Sequence, residues 1–230
     1  SMKNINWKEL ASLLGLMVLI FFLWNTWFVY PLKILVVFFH EMSHGLVAIL
    51  TGGKIIEIQV VAAQGGVCVT LGGNRFLTLT AGYLGSLVWG GLILVLAAKT
   101  RYDREIAFAL GVLMVLVSLI WVRPFASFGF GFGLGSGIAL VASGFYLSER
   151  LNDFFLKVVG LTSCMYAVLD IKSDILDRPS VRSDAAMLAE ETGIPTMVWG
   201  VLWIVVASVA ALYFLRLASK IPEASPVEGE

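Results

Sequence analysis

The 230-residue chain is 59% hydrophobic and only 14% charged, with a mean hydropathy of +0.90. A soluble domain sits near half apolar and a quarter charged, so this composition is that of an integral membrane protein. Its 16 basic residues balance 16 acidic ones, which leaves no basic field to attract nucleic acid.

A helix needs about 20 apolar residues to cross the hydrocarbon core. On that measure, spans are predicted near residues 9–30, 32–51, 76–98, 105–122, 134–148, 154–171 and 196–217. The first ends in bulky aromatics and is too long for a cleaved signal, so it reads as a retained helix. Between the second and third spans, "KIIEIQVVAAQGGVCVTLGG" (54–73) alternates in part, is rich in Val and Ile, and turns at Gln64-Gly65-Gly66. That pattern predicts a β-hairpin. The fifth span is the weakest, because "FGFGFGLGSG" before it reads as a loop, a broken helix or a tightly packed helix entry. The expected architecture is an all-α polytopic membrane protein with six or seven transmembrane helices and a small membrane-associated β-hairpin after the second.

Much of the charge gathers in 170–195, where Arg178-Pro179 breaks the chain and Ser180 or Ser183 can N-cap a short helix that stops at Gly193. Residues 218–230 read as a disordered tail. Cys68 and Cys164 match no ligand spacing and make no disulfide framework. Lysine and arginine divide evenly between the two ends of the spans, so charge imposes no orientation.

Chemistry concentrates in "VVFFHEMSHGLVAIL" (36–50), which sets His40, Glu41 and His44 in an otherwise almost purely apolar run. Residues four apart on a helix share a face, so both imidazoles project the same way with Glu41 beside them. This is the H-E-x-x-H pattern, in which two histidines bind zinc and the glutamate takes a proton from the water that the metal activates. His40 and His44 are the chain's 2 histidines, and both fall in the motif. Ionisable groups in a span are costly and point to function, so a metal site is favoured over plain interhelical hydrogen bonding.

A catalytic zinc commonly takes three protein ligands. With no third histidine and no well-spaced cysteine, an acid must complete the set. Asp170, Asp174 and Asp177 lie along one helical face. Asp170 closes an apolar run and is the preferred third ligand, Asp174 is the rival, and Asp177, beside Arg178-Pro179, belongs at the surface.

These residues resemble the site-2 protease family of intramembrane zinc metalloproteases. The resemblance runs from residue 36 to about 176 and is carried by "FFHEMSHGLVAILTGGKI", "TAGYLGS" and "YAVLDIKSDIL". It looks closest to a compact branch without a PDZ or other appended domain, since no polar loop has room for one. It implies a single transmembrane metalloprotease-like domain over 1–217 with its core at 32–176. His40 and His44 would be zinc ligands, Glu41 the general base and Asp170 the ligating aspartate. Many members carry Asn-Pro before that aspartate and Gly after it, where this chain has "GLTSCMYAVL" and Ile171. The hairpin at 54–73 would correspond to the family's re-entrant β-sheet, whose open edge can hold a substrate segment as an added strand.

The resemblance implies a zinc endopeptidase that hydrolyses peptide bonds in or near transmembrane segments of substrate proteins, in contact with the lipid bilayer. The alternative is a non-catalytic metal-binding membrane protein that holds membrane partners, but such a protein has no need of Glu41 between the ligands. The compact chain suggests a multi-pass protein of a prokaryotic cell membrane.

Overall fold

The computed structural model describes residues 5–173 and 183–221. Among them are eight helices and one antiparallel pair of strands. Helix α1 (Trp7–Phe22) starts where the Asn6 side chain accepts a hydrogen bond from the Glu9 amide at 3.2 Å. Its 16 residues reach about 24 Å, short of the roughly 30 Å hydrocarbon core. The expected span over 9–30 is thus broken: Thr26 Oγ1 donates to the Leu23 carbonyl at 2.6 Å in a turn, and α2 (Tyr30–Leu50) starts afresh with Pro31 in its first turn. Hydropathy registers the apolar run but not the turn within it.

Among the described residues, six helices are long and apolar enough to cross a membrane: α2, α3 (Arg75–Lys99), α4 (Asp103–Trp121), α5 (Phe128–Tyr146), α6 (Glu149–Lys172) and α8 (Thr196–Ala218). Within the apolar stretch of α2, 72% of residues are buried, against 22% for α5, so α2 is the central helix and α5 a peripheral one. Helix α3 packs on α2 and α6, α8 lies against α3 and α6, and α4 pairs with α5.

The Gly/Phe run is helical. Ser127 accepts from the Phe130 amide at 3.1 Å, and Gly129, Gly133 and Gly137 recur every four residues on one buried face. That face lies on β1, Phe38 and α4, so the glycines serve close packing.

Strands β1 (Lys54–Val61) and β2 (Gly65–Leu71) pair from Lys54↔Leu71 to Val61↔Gly65, with one irregularity between Ile55 and Glu57. Gln64, at φ 64°, closes the turn. The two edges differ. Val122 bridges to Ile58 of β1 and the Arg123 amide donates to the Ile58 carbonyl at 3.0 Å. The outer edge of β2 has no strand partner among the described residues.

Beyond α6, the short helix α7 (Asp184–Thr192) is capped by Ser183, whose side chain accepts from the Ala186 amide at 3.3 Å, and ends at Gly193 with φ 74°. Ser183 is therefore the cap; Ser180 lies outside the described residues, as does most of the tail expected at 218–230. Its first residues are held by the Asn6 amide, which donates to the Ser219 carbonyl at 2.7 Å.

Candidate metal centre

His40 and His44 stand one helical turn apart on α2, with ring centroids 4.8 Å apart at 74°. Their Nε2 atoms converge on Asp184 Oδ2, at 3.0 Å from His40 and 3.2 Å from His44. All three donor atoms lie within 4.8 Å of one another. Asp184 is the first residue of α7, and Ala185 and Leu188, both fully buried, seat that helix in a cluster with α3 and α8.

The hydrogen bonding around the pair sets what the site holds. His44 Nδ1 lies 2.7 Å from the Thr78 carbonyl of α3, an oxygen that only accepts, so Nδ1 carries the proton. A neutral His44 then presents a lone pair from Nε2 toward a carboxylate oxygen. Two acceptors facing each other inside a protein require a cation or a proton between them. Gly82, one turn along α3 from Thr78, leaves the room. A Cβ there would lie 2.5 Å from His44 Nε2 and Asp184 Oδ2 and would also meet His40 Nε2. Glycine at this position thus lets α3 come close to all three donors without a side chain crowding the space between them, which a small metal ion needs. Two imidazole nitrogens and one carboxylate oxygen are a donor set that suits zinc.

Tyr83 is buried with its ring edge-on to His40, centroids 5.3 Å apart at 81°. Burial works against the charge on Asp184, but His40 and His44, when protonated, favour it by charge and by hydrogen bonds and hold its carboxyl well below the usual carboxylate range.

Glu41 is buried beside the pair, under the turn end of the hairpin. A Cβ on Gly66 would come 2.6 Å from Glu41 Oε1, so only glycine lets the β2 backbone lie on that carboxylate. His40, Glu41, His44 and Asp184 open onto one cavity of about 820 Å³, whose walls also include β2, Tyr83 and Tyr166.

The expected residues are distributed as follows. His40, Glu41 and His44 share the site. Asp170 lines the same cavity but is not in the donor cluster. Asp174 and Asp177 lie outside the described residues. Among the described residues, the carboxylate that reaches the histidines is Asp184, which the sequence places in a charged stretch just after the helix cap. A signal was there: Asp184 and Leu188 are four apart, so the acid shares the helix face that α7 buries.

A family model described as Peptidase M50B-like matches residues 13–214. No curated protein and no solved structure matches the chain.

Proposed function

The chain belongs to the Peptidase M50B-like family and is a membrane metallopeptidase by that membership; on that premise we propose that it is an intramembrane zinc endopeptidase. His40, His44 and Asp184 would hold the metal, with Glu41 as general base. The observation that carries this reading is the convergence of two Nε2 atoms and one carboxylate oxygen on the space left by Gly82, in a cavity shared with Glu41.

Zinc held there supplies Lewis acidity toward a peptide carbonyl and toward water. The remaining work falls to the protein. Glu41 takes one proton from the attacking water as the new C–O bond forms, and returns it to the amide nitrogen as the C–N bond breaks. The Thr78 carbonyl keeps His44 in the tautomer that leaves Nε2 free to coordinate.

A peptide bond inside a transmembrane helix is shielded by its own hydrogen bonds, so the substrate must be extended before it is cut. The outer edge of β2 suits that task, because it lines the cavity and has no strand partner among the described residues. The edge of β1 is unsuited, being engaged by Val122 and Arg123. Substrates are thus membrane proteins whose helix unwinds locally into a strand.

The test is cleavage of an unstructured apolar peptide by purified, zinc-loaded protein beside Glu41→Gln. The variant should keep its zinc and lose about 10²- to 10⁴-fold in rate. Cleavage at the parental rate by Glu41→Gln contradicts the assignment.

A further inference from the structure

Two tyrosines from different helices meet the turn of the hairpin. Tyr30, the first residue of α2, donates its hydroxyl to the Ala62 carbonyl at 2.7 Å. Tyr166, one turn before Asp170 on α6, donates to the Gln64 carbonyl at 3.3 Å, and its ring packs on Trp24 with centroids 6.2 Å apart. The turn has few large side chains of its own to hold it. Its own residues are Ala62, Ala63 and Gln64, and β2 opens with Gly65 and Gly66, so no large side chain anchors this end. The opposite end is tied to α2 through the Gly53 amide on the Ala48 carbonyl at 2.7 Å and the Asn74 amide on Thr51 Oγ1 at 2.9 Å. A two-stranded hairpin is marginal by itself. Arg123 holds β1 at Ile58 and Gly129 of α5 lies on Val60, and beyond them the turn residues themselves are met by the two tyrosines.

The turn end is also where placement matters most, because Gly66 lies directly on Glu41. A peptide paired along β2 inherits its height over the metal from this strand, and a displacement of about 1 Å at a reacting centre can lower a rate about 10²-fold.

We infer that Tyr30 and Tyr166 are positioning residues: their hydroxyls latch the hairpin turn by the Ala62 and Gln64 carbonyls and so set the β2 edge over Glu41. The latch rests on the docking of substrate along β2 proposed above. It accounts for two tyrosine hydroxyls directed at backbone carbonyls of a turn, one of them at the cavity wall, neither required by the metal chemistry.

The test uses the full chain in detergent, as parent and as the Tyr30→Phe/Tyr166→Phe double variant, which keeps both rings. Two readouts apply. Hydrogen exchange of metal-free protein should speed up about tenfold at the amides of 61–67 in the variant and stay unchanged in α2. In zinc-loaded protein, a peptidyl hydroxamate should lose roughly tenfold in affinity, whereas acetohydroxamate, which reaches only the metal, should bind both proteins equally. Unchanged exchange at 61–67 overturns the latch. Equal weakening of both hydroxamates also overturns it, because the hydroxyls would then act on the metal site rather than the edge. If the parent itself binds the peptidyl compound no better than acetohydroxamate, docking along β2 is wrong and the latch falls with it; if the parent binds neither, the metallopeptidase reading fails first.

Discussion

Glycine is used in opposite ways in the two halves of the molecule. Between α4 and α5 it lets backbone touch backbone: a Cβ on Gly111 would meet the Gly137 carbonyl at 2.6 Å, and one on Gly137 would meet the Gly111 carbonyl at 2.9 Å. Around α2 it keeps side chains apart from backbone and leaves space. Gly82 faces three donor atoms, and Gly66 clears the Glu41 carboxylate. The first pair serves helix association where lipid offers no hydrophobic driving force. The second lies at the candidate metal centre. The same methyl group added in the two halves should therefore damage different things.

The largest effect belongs to Gly82→Ala. Alanine favours the helix by about 1 kcal/mol over glycine, so the fold should persist while the new methyl fills the cradle. Zinc per chain should fall to background and cleavage with it; metal analysis beside a thermal melt separates the two. Full zinc content in folded Gly82→Ala would place the metal elsewhere. Next comes Gly66→Ala, whose methyl falls on Glu41 rather than on the metal. Zinc should remain while the cleavage rate drops about 10- to 100-fold, in keeping with sub-ångström displacement of a catalytic group. Loss of zinc there would mean that the hairpin and the metal are more tightly joined than the structure indicates. The smallest change is expected from Gly137→Ala. Its methyl would press on Val115 and the Gly111 carbonyl, an overpacking of about 1–2 kcal/mol that should lower the melting temperature by a few degrees. Zinc content and the rate at low temperature should not move.

The sequence shows the two halves to different depths. The histidine pair is legible because one helix carries it, and helical spacing alone puts both rings on one face. The hairpin is legible because Val and Ile alternate up to a glycine turn. Asp184 is not, since it lies 144 residues from His40 and only the docking of α7 brings it there. Asp170, an acid closing an apolar run, lines the cavity wall without joining the donor cluster. What spacing could not supply was the position of α6 relative to α2. The Gly/Phe run was ambiguous for the same reason: glycine is a poor helix former by propensity, and only the partner surface on α4, β1 and Phe38 makes a helix the favourable choice. The break after Phe22 was hidden because every residue of the run up to Trp24 is compatible with a membrane span.

The central claim is that His40 and His44 share their metal with Asp184. It is tested most directly by zinc content in detergent-purified protein, comparing the parent with Asp184→Ala and Asp170→Ala after purification without chelators and with zinc restored. About one zinc per chain is expected in the parent and in Asp170→Ala, and loss of zinc in Asp184→Ala. Zinc retained in Asp184→Ala and lost in Asp170→Ala would contradict it.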